Sequence, residues 1–175
     1  DGGYAIAGCG TGAMTLLKLD AGGSFQWSKS YNSEEVSGAH ALIQTLDGGY
    51  ALGGYMQTKD RTIAGYLVKT DAAGKTQWSR RIMGFGTAPA IQSLVQTKDG
   101  GYVCVLNGKN KNDYSDVYVV KIDKNGNSVW SRSVGGESTD FPHAVITTKD
   151  EGFAILGTSN SSNNLNNADM YLVKI

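Results

Sequence analysis

The sequence predicts an all-β protein that is built from one repeated unit of short antiparallel strands. The first observation is a period, since equivalent lysines follow one another at steps of 51, 52 and 53 residues. The second is composition, because the 175 residues include 24 glycines and only 2 prolines, which favours many tight turns. The third is that the segments between the turns are rich in β-branched and aromatic residues and lack helical spacing of apolar positions.

Three short motifs mark each repeat and follow one another in a fixed order. The first is Asp-Gly-Gly-Tyr, at residues 1–4, 47–50 and 99–102, with an altered copy, Asp-Glu-Gly-Phe, at 150–153. The second is an apolar stretch around Lys18, Lys69, Lys121 and Lys174. The third begins at Trp27, Trp78 and Trp130. Three motifs in phase at one period indicate an internal repeat, and such a repeat determines the architecture.

Each unit resolves into four strands, which we name a to d. In the second unit we expect strand a at 39–45, strand b at 50–57, strand c at 65–70 and strand d at 76–83. The a–b turn is centred on Asp47-Gly48-Gly49, where glycine supplies a positive φ. The c–d turn is Asp71-Ala72-Ala73-Gly74, and the same Asp-x-x-Gly spacing recurs at 20–23 and 123–126.

Four antiparallel strands in about 50 residues is the size of one β-propeller blade. We therefore predict an all-β propeller segment of about 3.5 four-stranded blades. The expected boundaries are blade 1 at 1–30, without its innermost strand; blade 2 at 31–84; blade 3 at 85–135; and blade 4 at 136–175, without its outermost strand. The predicted strands begin with strand b of the first unit and end with strand c of the fourth, so they are one d–a strand pair fewer than four complete repeats. This count favours part of a larger propeller, completed by the rest of its own chain or by another chain.

The spacing Lys-x-Asp-x-x-Gly-x-x-x-Trp resembles the tryptophan-docking motif of propellers of the pyrroloquinoline-quinone type. Residues 135–157 are also similar to blades of secreted or cell-surface propeller proteins of bacteria and archaea. The resemblance implies structural roles for Trp27, Trp78, Trp130, Asp20, Asp71, Asp123, Gly23, Gly74 and Gly126. In this interpretation each indole packs between neighbouring blades, and its N–H bonds a turn carbonyl.

Composition and motifs argue against several functions. Sixteen basic and sixteen acidic residues give zero net charge, which argues against nucleic-acid binding. No apolar run approaches the roughly 18 residues that span a bilayer. The resemblance also allows a test for quinoprotein activity. Quinoprotein dehydrogenases are known for adjacent cysteines beside the cofactor. Here Cys9 and Cys104 are far apart in the sequence, which argues against such an active site. We expect no catalytic residue and no cofactor-binding residue, and the pairing state of the two thiols stays open.

Calcium is the one ion that the sequence suggests. Asp113, Ser115 and Asp116 form a cluster of oxygen donors before the third strand c, and hard cations bind such clusters. Asp169 has the same place in the fourth unit. The alternative, which we favour, is that these aspartates cap turns through nearby backbone N–H groups.

Two histidines share one repeat position. We expect His40 and His143 just before strand a, where the third unit has Gln92. A metal site would need further converging ligands, and none is evident in the sequence. We therefore interpret the position as a polar one near the mouth of a channel.

The b–c loops vary most in length and composition, and loops on a rigid scaffold are common binding sites. The candidates for contacts with a protein or a glycan are Asn112, Tyr114, Asn160 and Asn163. The alternative is a solvated loop without a ligand. Asn160-Ser161-Ser162 also matches the acceptor for N-glycosylation, which matters only in a glycosylating secretory context.

The predicted function is a non-enzymatic structural or interaction scaffold, within an adhesin, a surface layer or a filament. An extracellular or cell-surface location rests on the family resemblance and on the Asn- and Ser-rich loops. The alternative is a carbohydrate-binding, lectin-like propeller, and a second alternative is a quinoprotein-like enzyme. The expected partners are a protein or glycan at the loops and the chain that completes the propeller, with no nucleic acid and no membrane insertion.

Overall fold

The computed structural model describes residues 1–32, 35–112, 114–136, 138–160 and 169–175. These residues form fourteen strands and no helix. The first seven are β1 (Tyr4–Gly10), β2 (Ala13–Leu19), β3 (Phe25–Tyr31), β4 (Val36–Gln44), β5 (Tyr50–Gln57), β6 (Ile63–Thr70) and β7 (Thr76–Ile82). The others are β8 (Thr87–Gln96), β9 (Tyr102–Lys109), β10 (Ser115–Ile122), β11 (Ser128–Val134), β12 (Asp140–Thr147), β13 (Phe153–Ser159) and β14 (Asp169–Lys174). The described part thus has no helix of the length and hydropathy needed to span a membrane.

The strands form four antiparallel sheets in which sequence neighbours pair. Sheet 1 is β1–β3, sheet 2 is β4–β7, sheet 3 is β8–β11 and sheet 4 is β12–β14. The all-β class and the antiparallel strands are therefore confirmed. In sheet 2, strand b has the predicted bounds, whereas strand a begins at Val36, three residues earlier than predicted. The sequence analysis missed residues 36–38 because they include a serine and a glycine, which are weak strand signals. In the structure these residues pair with 55–57.

The predicted turn chemistry is confirmed in the second repeat. Gly48 has φ +80° and Gly74 has φ +74°, so both adopt the left-handed conformation that glycine allows. Asp71 Oδ1 accepts hydrogen bonds from the backbone N–H groups of Ala73 at 3.0 Å and Lys75 at 2.8 Å. An aspartate that caps its own turn explains the repeated Asp-x-x-Gly.

The sheets pack face to face in chain order through three apolar clusters. One cluster joins sheets 1 and 2, with Leu16 packed near Leu52 and Val68. A second joins sheets 2 and 3, and a third joins sheets 3 and 4. Strand alternation sends successive side chains to the two faces of a sheet, so each middle sheet contributes to two clusters.

The repeated tryptophans lie on the edge strands β3, β7 and β11 and contact an aromatic ring of the next sheet. Trp78 meets the ring of Tyr102 edge-on, with centroids 5.7 Å apart, and its Nε1 donates to Lys124 O at 3.1 Å. The predicted bond to a turn carbonyl is thus confirmed for Trp78. A Cβ on Gly126 would lie 3.1 Å from Trp78, so this turn needs glycine both for its positive φ and for space.

A lysine on strand c pairs with the aspartate of the Asp-Gly-Gly or Asp-Glu-Gly motif in each sheet, a contact that the sequence analysis did not predict; the lysine is buried in sheets 1 to 3 and 57% exposed in sheet 4. Lys69 is almost fully buried, and its Nζ lies 2.9 and 2.8 Å from the carboxylate oxygens of Asp47. Nζ also donates to Thr70 O at 2.7 Å and Gln77 Oε1 at 2.9 Å. The equivalent pairs are Lys18–Asp1, Lys121–Asp99 and Lys174–Asp150. The first and second repeat motifs therefore form one structural unit.

These contacts hold the turn carboxylates in their ionised form. The hydrogen bond from Lys69, followed by that from Thr45, lowers the pKa of Asp47 to about 2. Hydrogen bonds from Lys174 and Thr148 likewise lower the pKa of Asp150 to about 2. The Thr97 hydroxyl and then Lys121 hold the pKa of Asp99 below its usual range. A lowered pKa in the folded state means that ionisation stabilises the fold.

Removing the two partners of one pair should have unequal effects. Asp47→Ala leaves the Lys69 ammonium buried without its counter-charge, and we expect a loss of about 2–3 kcal/mol in the free energy of unfolding. Lys69→Met leaves a carboxylate that water still reaches, and we expect a loss of about 1 kcal/mol. Urea unfolding followed by circular dichroism measures both. Lys98→Ala, at an exposed ion pair with Glu151, is the control and should change stability by less than about 0.5 kcal/mol. Equal losses in the two test variants would contradict the asymmetry.

The fold should lose stability in acid over a defined range. Because the pKa of Asp47 is lowered in the folded state to about 2, its contribution is complete above the unfolded value of about 3.9. The contribution is lost as pH falls from there through about 2. We expect the urea midpoint to fall between pH 5 and pH 2, and to fall less steeply in Asp47→Asn. An Asp47→Asn variant with the wild-type pH profile would refute this assignment.

Candidate binding surface at the loop ends of the sheets

The two ends of the sheets differ in character. One end, which we call the turn end, carries the a–b and c–d turns. The other, which we call the loop end, carries the b–c loops and the connections from strand d to the next strand a. The antiparallel order of the strands puts all the variable segments at the loop end. The predicted binding and calcium residues that the structure describes also lie at this end.

Asn110 organises the third b–c loop, a role that the sequence analysis missed. Its Oδ1 accepts hydrogen bonds from the backbone N–H groups of Asn112 at 2.9 Å and Tyr114 at 3.2 Å. Its own N–H donates to Tyr114 O at 2.8 Å, and its Nδ2 donates to Asp116 Oδ2 at 3.1 Å. The available signal was an asparagine directly after strand b, since asparagine bonds the backbone two residues on.

Three of the predicted binding residues lie in the described part of the loop end. Tyr114 is 43% exposed, and Asn112 and Asn160 are exposed. The backbone N–H of Asn160 donates to Thr139 O at 2.9 Å, which fastens the start of the fourth loop. Asp113 and Asn163 lie outside the described residues. The described part of the loop end therefore exposes one aromatic side chain and two amides, of which Asn112 is in the same loop as Tyr114.

The remaining calcium candidates are within the third strand c, not before it as predicted. Ser115 and Asp116 are the first two residues of β10, because they pair with Lys109 and Gly108 of β9. The preferred alternative, turn capping, is not what Asp116 does, since its Oδ2 accepts from the side chain of Asn110. The other oxygen, Oδ1, is buried and has no hydrogen-bond partner, and the same is true of Ser115 Oγ.

Asp140 joins this group from the next sheet. It begins β12, is only 1% exposed, and accepts a hydrogen bond from the Gly136 N–H at 2.7 Å through Oδ2. The hydroxyl of Tyr171 is also buried without a partner. Burial, followed by the charge of Asp140, raises the pKa of that hydroxyl to about 12. Within the described residues, all the buried side-chain atoms that lack a partner are thus near the start of strand c in sheets 3 and 4.

The repeat position shared by His40, Gln92 and His143 lies inside strand a, not before it as predicted. All three residues are where the pairing register between strands a and b shifts, which marks a β-bulge. Gln92 Nε2 donates to Asn107 Oδ1 at 2.7 Å, and His143 Nε2 lies 3.2 Å from Thr158 Oγ1. The bulge therefore turns this polar side chain towards strand b.

Other reactive groups are dispersed among the described residues. No cluster of three or more His, Cys, Asp or Glu side chains able to hold a metal is found in these ranges. Both cysteines are free thiols: Cys9 is exposed, whereas burial raises the pKa of Cys104 to about 12. Such a raised pKa leaves Cys104 as an unreactive thiol.

A concave region is also present at the turn end, between sheets 3 and 4. It is a cleft of about 420 Å³ whose lining includes Trp130, Phe153 and Lys121. An exposed ion pair between Lys98 and Glu151, 2.8 Å long, connects the two sheets there. Because the lining consists mainly of residues with repeat roles, the cleft follows from sheet packing.

No protein-family model matches this chain, and no curated protein matches it significantly. The functional interpretation therefore depends on the residues and on their geometry.

Proposed function

We propose that the four sheets are blades of a β-propeller, and that the chain is a non-enzymatic structural and interaction module of a secreted or cell-surface protein. The blade interpretation is supported by the four repeated sheets, by their face-to-face packing in chain order, and by the tryptophan contact between successive sheets. The location is inferred from the family resemblance of the repeat motif.

The observation that carries the proposal is an exposed apolar face on sheet 4. Leu172 is 72% exposed, although the residues at its register position in sheets 2 and 3, Leu67 and Val119, are fully buried. Met170 and Leu156 are exposed on the same face. This is the face that sheets 2 and 3 each cover with the next sheet.

Sheet 1 exposes the complementary face. Ile6 is 51% exposed, whereas its register equivalents Leu52 and Cys104 are fully buried against the preceding sheet. Tyr4 is likewise exposed, whereas Tyr50 in the same position is buried. The two end faces therefore carry the two halves of the contact that joins the sheets inside the molecule. We propose that each end face binds a further sheet of the same repeat type, in its own protein or in another chain.

In solution the 175-residue chain should self-associate through these faces. We expect the mass by sedimentation velocity to rise above 18.5 kDa between about 1 and 100 µM, a range typical of weak apolar contacts. Leu172→Asp and Ile6→Asp should each move the transition at least tenfold higher in concentration, because a charge opposes burial. Val129→Asp, at an exposed residue of β11, is the control and should leave the transition unchanged. A wild-type chain that stays monomeric throughout would refute the docking role of the faces.

A second candidate function, glycan binding, is favoured by the third b–c loop. Tyr114 exposes part of an aromatic ring beside Asn112 in a loop that Asn110 fixes. Sugars bind to aromatic faces and to amide groups, which makes this the best place for such a contact on the described surface.

Glycan binding should depend on Tyr114 alone among the exposed tyrosines. On a glycan array we expect specific signals with the wild type and at least a tenfold loss with Tyr114→Ala, because stacking area is lost. Tyr4→Ala, which removes an exposed tyrosine at the turn end, should bind as the wild type does. The absence of any wild-type signal, or equal losses in both variants, would rule out this candidate.

A further inference from the structure

The open face of sheet 1 matches the face by which sheet 4 packs on sheet 3. Residues 4–8 of β1 are Tyr-Ala-Ile-Ala-Gly, and residues 153–157 of β13 are Phe-Ala-Ile-Leu-Gly in the same register. Ile155 is fully buried in the cluster between sheets 3 and 4, whereas Ile6 is exposed. We call the side of each sheet that carries this position the backward face, because it meets the preceding sheet.

The open face of sheet 4 matches the surface on which sheet 4 itself lies. Residues 116–122 of β10 are Asp-Val-Tyr-Val-Val-Lys-Ile, and residues 169–175 of β14 and the residue after it are Asp-Met-Tyr-Leu-Val-Lys-Ile. Val119 is fully buried against sheet 4, whereas Leu172 at its register position is exposed. Met170, 79% exposed, lies on the same side as Leu172. We call this side, which meets the following sheet, the forward face.

The junctions inside the molecule all join a forward face to a backward face. Between sheets 1 and 2, Leu16 shares a cluster with Leu52. Between sheets 2 and 3, Leu67 shares a cluster with Cys104. In the described residues, therefore, the three clusters between sheets never join two faces of the same kind.

Charge does not oppose the same contact between two copies. Strand alternation puts Tyr4, Ile6 and Leu17 on the backward face of sheet 1, where strands b and c carry no charged side chain among the described residues. On the forward face of sheet 4, the charged side chain of these strands is Lys174, which is paired with Asp150. Both faces can therefore be covered without burying an unpaired charge, which would be costly.

We propose that a second copy of this chain docks the backward face of its sheet 1 on the forward face of sheet 4, so that copies associate head to tail. This inference rests on the proposed docking role of the end faces and adds to it which face meets which. A head-to-tail contact joins two different surfaces and gives a ring or an open chain of copies. A contact that used the same surface twice would stop at two copies.

The contact between copies lacks one part of the internal junctions. Between sheets 3 and 4, Trp130 of strand d meets the ring of Phe153 with centroids 6.4 Å apart. Tyr4 has the register position of Phe153 in a docked copy, but the described part of sheet 4 has three strands and no strand d to supply an indole. Because aromatic pairs add to the stability of a packed contact, the docking of copies is weaker than an internal junction and is reversible.

Mixing variants of opposite faces tests the direction of the contact. Leu172→Asp keeps the backward face of sheet 1, and Ile6→Asp keeps the forward face of sheet 4. Each variant alone should sediment as a monomer at about 100 µM, the upper end of the range for weak apolar contacts, because a charge opposes burial. An equimolar mixture should form a complex of two chains, because it contains one intact pair of faces.

A mixture of Leu172→Asp with Met170→Asp is the matched control. Both variants are altered on the forward face of sheet 4, so their mixture contains no intact pair of faces and should stay monomeric. All the substituted side chains are exposed in the single chain, and far-ultraviolet circular dichroism should show that each variant is folded as the wild type is.

Cysteine cross-linking tests which positions meet. The exposed Cys9 is first replaced by Cys9→Ser, whereas Cys104 is buried. A short bismaleimide should then link Leu172→Cys to Ile6→Cys with a yield at least tenfold above that of either variant alone, because docking raises the local concentration of the two thiols. Val129→Cys, at an exposed position of β11, is the control and should not be linked to Ile6→Cys.

The outcomes separate this inference from the function on which it rests. A wild type that stays monomeric overturns both the head-to-tail contact and the docking role of the faces. If the wild type associates, a mixture of Leu172→Asp and Ile6→Asp that stays monomeric overturns the head-to-tail contact alone. The same holds if Ile6→Asp associates by itself, or if Leu172→Cys is linked as efficiently alone as in the mixture, because sheet 4 would then bind another sheet 4.

Discussion

A buried lysine that meets the aspartate of a turn is the interaction on which the repeat depends. An ammonium group inside a sheet is tolerated only when it is paired and hydrogen-bonded. Lys69 achieves this with Asp47, Thr70 and Gln77. The lysine on strand c and the aspartate before strand b are therefore one device, which holds the a–b turn against the neighbouring strand. The ion pair recurs in all four sheets, with the lysine buried in the first three and exposed in the fourth, and this recurrence explains why the lysine marks the period.

The tryptophan of strand d then relates one sheet to the next. Trp78 contacts Tyr102, covers Gly126 and bonds Lys124 O, all in sheet 3. Position 126 thus requires glycine for two reasons: its φ is positive, and the indole of the preceding sheet leaves no space for a side chain. Sheets 2 and 3 are covered on both faces, and sheets 1 and 4 carry the same apolar pattern on one exposed face each.

Local chemistry made the fold predictable, whereas contacts between distant residues limited the prediction of the site. The turns at Gly48 and Gly74 and the bounds of β5 depend on residues adjacent in sequence. The start of β4 and the bulge at His40 depend on pairing with β5, which no local pattern encodes. Asp116 was found as a candidate because it is near other oxygen donors in the sequence, but Asp140 was missed because it is 24 residues away and belongs to another sheet.

The sequence by itself determined the number of strands, their antiparallel order, the turn types and the residues that repeat, because these properties follow from side-chain alternation and from the φ preferences of glycine. Only the tertiary structure decided which apolar faces are covered and that each repeated lysine meets its aspartate. The physical reason is that burial and charge pairing depend on distance in space. Residues such as Val119 and Ile155 acquire a common environment only when sheets 3 and 4 pack together.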